Sequence, residues 1–345
     1  MAGPKDLPTM ADVARRAGVT RLTAQRALHG QPGVGAATRQ KVQRIAERLG
    51  YRPHWAARAM RSGRLGCLAL LMSLERYRGF LGHELLGGIV SEASERDYQV
   101  NLSALPEAKA TDERYVPRAL RELMADGLLI NYHFGIPAKM AELIERNHIP
   151  AVWINAKRPW DGVHMDDLQA GRLATEHLLK LGHRRITYVD YAHALDELPD
   201  VHYSALDRMA GYEEAMRAAK LPSRVIWLPS KSRDREHLEF TREWLAEPHR
   251  PTGLVMYSAL PAGTIALAAA HFGLQVPRDI SLVAVDWPTP KSFGLEVTVT
   301  MLQPEEMGRK AVRMLLEKIE TPGKRMRAQA IPAVLHTGAT CAPPA

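Results

Sequence analysis

The chain has 345 residues, 46% of them hydrophobic and 24% charged, and carries a formal net charge of +8. That length is too great for one ordinary core and points to two or three domains, while the apolar content excludes a disordered chain. No stretch is long and apolar enough for a membrane span, MAGPKDLPTM lacks a signal-peptide core, and Cys67 and Cys341 form neither a metal-ligand spacing nor a disulfide framework; the expectation is a cytoplasmic protein with no membrane partner, metal or cofactor.

The positive charge is unevenly placed. Residues 1–64 hold 13 Lys and Arg against 3 Asp and Glu, whereas the rest of the chain holds 33 against 35. A compact basic module on a near-neutral body is the electrostatic footprint of nucleic-acid binding, with an anionic lipid surface as the competing reading of charge alone.

Three short helical patterns follow one another in that module. TMADVARRAG has Thr9 as N-cap, apolar Met10, Val13, Ala14 and Ala17, and Gly18 as terminator. TRLTAQRAL is capped by Thr20 and ended by His29-Gly30, and a third helix is expected from about Ala36 to Leu49. Only Gly18, Val19 and Thr20 separate the first two, the spacing of a helix-turn-helix. Ala14, Val19, Ala24 and Leu28 are placed to pack these helices together, which leaves Arg21, Leu22 and Gln25 at the end of the second helix that enters a major groove. Arginine can bond guanine twice, glutamine can do the same for adenine, and leucine offers only apolar contact. Arg26, one turn beyond Leu22, can reach a base or a phosphate.

MADVARRAGVTRLTAQRALHG resembles the helix-turn-helix of the lactose/galactose repressor family through Asp12, Val13, Ala14, Ala17, Gly18, Val19, Thr23, Arg26, Leu28 and Gly30. The stretch up to HWAARAM is similar to the family's third helix and hinge through Gly50, Tyr51 and Pro53. Gln25, His29 and His54 depart from the family's serine, asparagine and asparagine, so the operator contacts are this chain's own. The resemblance implies a hinge helix at about 54–62 that enters the minor groove, with Met60 as its apolar lever; a plain linker is the alternative. Thr9, Thr20, Thr23, His29, Tyr51, His54, Ala57 and Arg61 complete the DNA-contacting set that the resemblance implies.

From Gly66 onward apolar strands such as CLALLM, GLLINY, PAVWIN, RITYVDY, GLVMYS and ISLVAVD alternate with amphipathic helices. That alternation indicates parallel α/β sheets, with chain enough for two, and ligands of such sheets bind beyond the carboxyl ends of the strands. DDLQAGRLATEHLLKLGHRRITYV is similar to the same family's effector core, itself like periplasmic sugar-binding proteins. LGHRRI reads as a helix-to-strand turn rather than a metal or phosphate site, because no further ligands stand at metal spacing. The implied fold class is thus an N-terminal all-α helix-turn-helix domain and an α/β effector core of two doubly wound parallel-sheet subdomains. Its expected divisions are 1–64 for DNA binding, 65–165 with 303–325 for one subdomain, and 166–302 with 326–345 for the other.

The resemblance places Arg208, Asp286, Asn131, Asn155 and Gln303 in the effector cleft, with Arg208 donating to ligand hydroxyls or a carboxylate and Asp286 accepting from sugar hydroxyls. Ser258 and Ala259 stand where the family has Asn and Asp, and Trp287 replaces a second acid. Trp287, with Trp153 or Trp160, either stacks on a sugar ring or is ordinary core. Tyr77, Phe80 and His83, after the first strand, are further candidates. The expected function is a repressor that binds a palindromic double-stranded operator as a homodimer under control of a sugar or sugar derivative. A solute-binding or sensory protein with a non-sugar ligand is the alternative; an enzyme finds no support, since there is no Walker loop, no GxGxxG after a strand and no Ser-His-Asp motif context.

Overall fold

The computed structural model describes residues 8–52, 63–73, 79, 81–105, 122, 124–132, 138–194, 201–228, 234–287, 291–292 and 294–345. The chain divides into two compact units, Met1–Gly66 and Cys67–Ala345. The hinge residues His54, Ala57, Met60 and Arg61 and the cleft candidates Tyr77 and Phe80 lie outside the described residues.

The first unit holds helices α1 (Met10–Ala17), α2 (Arg21–Leu28) and α3 (Ala36–Leu49). Helices of eight residues are marginal alone in water, so caps and packing hold them. Thr9 and Asp12 form a reciprocal capping box on α1, and Gly18 closes the helix at φ 64°, a left-handed conformation that costs glycine nothing. Thr20 caps α2 by accepting the Thr23 amide at 3.1 Å, a contact of about 1 kcal/mol. Val13, Ala14, Ala17, Ala24, Ala27, Val42 and Ala46 are buried together, with Val19, Leu28 and Tyr51 packed against them. The small side chains on α1 and α2 are what let two short helices approach closely at a steep angle. From α3, Arg39 donates to the carbonyls of Ala27 and Gln31, tying down the end of α2.

The second unit is built on two six-stranded sheets. In the first lie β1 (Cys67–Ser73), β2 (Gln99–Leu105), β3 (Gly127–Asn131), β4 (Ala151–Ile154), β5 (Gly162–Met165) and β13 (Gln329–Ile331), in the order β13-β5-β4-β3-β1-β2 and all parallel. The second contains β6 (Ile186–Ala194), β7 (Val225–Leu228), β8 (Gly253–Met256), β9 (Ser281–Asp286), β12 (Thr298–Met301) and β14 (Val334–His336), in the order β14-β12-β9-β8-β6-β7, with only β14 antiparallel. A two-stranded ribbon, β10 (Lys291–Ser292) and β11 (Leu295–Glu296), precedes β12. The central strands are apolar throughout, as strands covered on both faces must be. Helices α4 (His83–Ser94), α5 (Ala138–Arg146) and α10 (Pro304–Glu320) serve the first sheet; α6 (Asp167–Lys180), α7 (Tyr203–Ala218), α8 (Asp234–Leu245) and α9 (Ala262–His271) serve the second.

Each sheet is wound twice, and in each the direction of winding reverses between two neighbouring strands: β1 and β3 in one, β6 and β8 in the other. Crevices open beyond the carboxyl ends of strands at such switch points. The chain crosses between sheets three times. The first two crossings follow β5 and β12. The third falls after Ile331, not at 325/326 as expected, because Gln329–Ile331 ladders in parallel with Val163–Met165 in the first sheet. Upstream of that pairing the Asp161 amide donates to the Met326 carbonyl, and the Met326 amide donates to the Asp161 carboxylate.

Two helix pairs fix the layers. A Cβ on Gly171 of α6 would collide with the carbonyl of Arg208, and one on Gly211 of α7 with that of Leu168. Gly88 of α4 and Gly308 of α10 stand in the same relation to Glu305 and Leu85. Beside the second pair, Glu92 is fully buried and accepts from Arg313 at 2.8 Å and from Arg96 at 2.9 Å, with Arg309 close by. The Arg313 hydrogen bond, against the cost of burial, holds the Glu92 carboxyl down to about 2. His183 of the LGHRRI turn is buried, reaching Thr252, Ser281 and the carbonyl of Ala342, so it staples the C-terminal segment to the second sheet. Among the described residues no helix is long and apolar enough to cross a membrane.

Candidate DNA-reading helix and effector cleft

The buried face of α2 is made by Ala24 and Ala27, which leaves Arg21 and Arg26 exposed, Gln25 half-exposed and Leu22 with 55% of its surface in water. A leucine left out of the core beside two arginines that have no carboxylate partner among the described residues is a reading surface rather than a packing surface. Thr20 and Thr23 share a 2.8 Å hydroxyl hydrogen bond at the helix start, and His29 stands at its C-cap. Thr9 caps α1 as expected, its amide and hydroxyl both on the Asp12 carboxylate, and it remains exposed at the helix start. Tyr51 packs half-buried against the three-helix core.

In the second unit the structure gathers a polar cluster at the amino end of α7. Arg208 is buried, and its Nε donates to Asp167 Oδ1 at 2.7 Å. Its Nη1 donates to the carbonyls of Tyr257 at 2.6 Å and Val285 at 3.2 Å, and the guanidinium lies 4.3 Å from the Tyr257 ring centroid. Burial opposes the charge, but the Asp167 carboxylate outweighs it and keeps the guanidinium protonated more firmly than in water.

A relay runs from Tyr257 to Asn155. The Asn155 carbonyl can only accept, so the 3.0 Å contact puts the His202 proton on Nε2. His202 Nδ1 then accepts from the Ser204 hydroxyl at 2.8 Å, and Ser204 in turn accepts from the Tyr257 hydroxyl at 2.9 Å. Burial lowers the His202 pKa from its ordinary value and so favours this neutral tautomer. Tyr203 donates to the Asn155 side chain at 3.0 Å and accepts the Met165 amide at 3.2 Å. Beside them His193 bonds Asp190 at 2.9 Å and meets the Tyr257 ring edge-on at 4.7 Å. The first two turns of α7 thus join the ends of β4 and β5 of one sheet to those of β8 and β9 of the other. Lys157, two residues past Asn155, pairs with Asp207 of α7 at 2.6 Å.

Of the expected cleft residues, Arg208 and Asn155 meet in this cluster. Asp286 lies next to it, and its two oxygens each accept one backbone amide, from Ala259 and from Trp287, at 2.7 Å. These bonds fix the loops after β8 and β9 and orient the carboxylate, which keeps a second acceptor site on each oxygen. Gln303 donates to the carbonyl of Pro332 at 2.6 Å and so holds the third crossover. Asn131 is buried at the end of β3, Ser258 and Trp287 are half-buried after β8 and β9, and His83 is exposed at the start of α4. Neither Trp153 nor Trp160 joins the cluster: Trp153 packs with Met140 and Ile144 of α5, and Trp160 is exposed just before β5. The sequence reading missed Asp167, Asp190, His193, His202, Tyr203, Ser204 and Tyr257. Tyr257 directly follows a strand and His202 caps a helix, so position alone could have flagged both.

Among the described residues no group of three His, Cys, Asp or Glu could hold a metal ion. Two doubly wound layers joined by three crossovers, with a polar cluster linking the ends of β4 and β5 to those of β8 and β9, make a small-molecule-binding body; a basic three-helix unit precedes it. The family model described as bacterial regulatory proteins, lacI family, matches residues 9–54, and that of the periplasmic binding protein-like domain matches residues 175–341. The chain thus joins a lacI-family helix-turn-helix domain to a periplasmic-binding-protein-like domain, the build of a DNA-binding transcription regulator of the lactose/galactose repressor type. It is 27% identical over 323 residues to the HTH-type transcriptional repressor PurR of Escherichia coli O139:H28 (strain E24377A / ETEC), covering 91% of each chain. With PurR of Klebsiella pneumoniae (strain 342) it shares 27% over 335 residues, or 94% of each. Its fold is similar to the Lac repressor dimer bound to operator and the anti-inducer ONPF, with a TM-score of 0.73, 22% identity and 97% and 99% of the chains covered. The regulator CelR in complex with cellobiose gives 0.62, 22%, 96% and 99%.

Proposed function

We propose that this chain represses transcription by binding a palindromic double-stranded operator as a homodimer in the cytoplasm, released or tightened by a small molecule in the cleft around Arg208. The observation that carries the first half is the exposed face of α2, where Arg21, Leu22, Gln25 and Arg26 stand on a basic unit. Its second half rests on α7, whose first two turns tie both sheets together. A ligand that displaced or reinforced those ties would favour one arrangement of the sheets, and only such differential binding can shift DNA affinity. The effector proposed is a sugar or sugar derivative, with Tyr203, Tyr257 and Trp287 offering ring faces and Arg208 hydrogen-bond donors.

A non-sugar effector is the second reading, favoured by one observation: each Asp286 oxygen already accepts a backbone amide, which leaves the carboxylate less to offer ligand hydroxyls. Selection of bound duplexes from a random library, followed by a thermal-shift screen against mono- and oligosaccharides and against small carboxylates, tests both halves. An enriched inverted repeat bound by a dimer, and a saccharide that raises the melting temperature, are expected. Duplex binding without sequence preference would overturn the repressor reading, and stabilisation by carboxylates alone would replace the sugar.

A further inference from the structure

The loop that begins at Asn155 ends at Asp161, and both end residues adopt left-handed backbone at φ 54° and 55°. Its far end borders a second cavity of about 370 Å³, at the amino-terminal edge of the first sheet between the end of α5 and the loops before β5 and β13. Such a volume falls at the lower end of small-molecule sites. Trp153, Arg158, Trp160, Lys318 and Arg325 give it its chemistry.

Charges in the lining are unequally satisfied. Lys318 is buried and already neutralised by Asp161 at 2.6 Å and the carbonyl of Lys324 at 3.0 Å. Arg325 and Glu145 form only a loose, solvent-exposed pair at 3.8 Å. Arg158 lies 4.5 Å from the Trp153 ring centroid and has no carboxylate partner among the described residues. Stacking on an indole orients a guanidinium and leaves its in-plane donors directed outward, ready for an anion. Trp160 is 46% exposed although its backbone is pinned by a bridge to Arg327. A rigidly mounted, exposed indole beside an unpaired guanidinium recognises a flat ring and an acid together.

We propose that this cavity is a second ligand site, separate from the Arg208 cleft, for a small flat-ringed molecule bearing a carboxylate or phosphate. The ring lies against Trp160, and the acid is held by Arg158 with Arg325 beside it. A cation is repelled by the same groups, and a neutral ring leaves the guanidinium without its counter-charge.

Isothermal titration of the full-length protein with 4-hydroxybenzoate and with adenosine 5′-monophosphate tests this, with benzyl alcohol and adenosine as uncharged counterparts. One saturable site per chain is expected for at least one anion, bound at least about tenfold more tightly than its counterpart; which anion binds tells carboxylate from phosphate. Arg158→Gln and Trp160→Ala, both near the surface and checked for unchanged melting, should each weaken that binding at least about tenfold. Absence of saturable binding by either anion up to millimolar concentration would overturn the proposal. So would binding that survives both substitutions, or an uncharged counterpart that binds equally well.

Discussion

Arg208 and Asp167 are 41 residues apart in sequence and form a 2.7 Å ion pair with both side chains almost wholly withdrawn from water. Such a pair stabilises little relative to an apolar replacement, but removing one partner leaves the other charge buried alone, at a cost of about 3–5 kcal/mol. Asp167→Asn should therefore melt well below the wild type. The double variant Asp167→Asn/Arg208→Gln should be more stable than the sum of the single losses, as a thermal-denaturation cycle would show. Additive losses would mean that the two charges do not depend on each other.

The His202 relay makes the cluster sensitive to pH. Burial lowers the His202 pKa below its ordinary value, so the unfolded chain takes up a proton at higher pH than the folded one. Its contribution to stability is complete above about pH 6.5 and declines as the pH falls below that value. His177 and His183 are also lowered, mainly by burial, and add to the same slope. Glutamine can donate to Asn155 and accept from Ser204 without titrating, so His202→Gln should fold normally and melt with a shallower dependence between pH 7 and 5.5. An unchanged slope would remove His202 from the titrating set.

Glu92 acts in a lower range. Its folded value of about 2 lies below that of a free carboxyl, so the stabilisation is present above about pH 4.5 and is lost as the pH falls towards 2. The shift corresponds to at most about 3 kcal/mol. Glu92→Gln should lower the melting temperature at pH 7 and have little effect near pH 2, which calorimetry at the two pH values would reveal.

Gly211 and Gly87 are both helical glycines, yet they should respond in opposite ways to alanine. A Cβ at Gly211 meets the Leu168 carbonyl and the Arg172 amide, whereas one at Gly87 meets nothing within 4 Å. Gly211→Ala should cost about 1–3 kcal/mol by forcing α6 and α7 apart. Gly87→Ala should gain about 0.5–1 kcal/mol from helix propensity and a less flexible unfolded chain. Denaturant midpoints for the two variants make the comparison.

What the sequence disclosed follows the range of the interactions concerned. The Thr9–Asp12 and Thr20–Thr23 caps, the Gly18 terminator and the alternation of strands and helices are local, and they were legible residue by residue. β13 was not, because a strand of three residues has no pattern of its own and owes its place to a register with Val163–Met165. Asp167, His202 and Tyr257 are ordinary residues until folding sets them around Arg208. Asp286 and Gln303 show the converse: both occupy the positions that the family likeness implies, and each spends part of its hydrogen-bonding capacity on backbone groups that only the fold brings near. Trp153 and Trp160 were read as possible ring-stackers in the cleft, yet the fold directs them to the opposite end of the same loop.

The exposed face of α2 can be divided by experiment into residues that read bases and residues that only hold the backbone. A bidentate base contact is worth about 1–3 kcal/mol of discrimination, whereas a phosphate contact weakens binding to all sequences alike and lowers the salt slope by about 1. Arg21→Ala and Gln25→Ala should each flatten preference at one position of the half-site. Leu22→Ala should lose selectivity at a position that prefers thymine, because its 55% exposed side chain has only apolar contact to offer. Arg26 is exposed one turn further on and stands near Gly33 in the loop after α2. If it holds a phosphate, Arg26→Ala should weaken binding evenly across sequences and reduce the salt dependence. Titration of each variant against a panel of single-base operator changes at two salt concentrations separates these outcomes. A change of preference at Arg26, or a uniform loss at Arg21 and Gln25, would reverse the assignment.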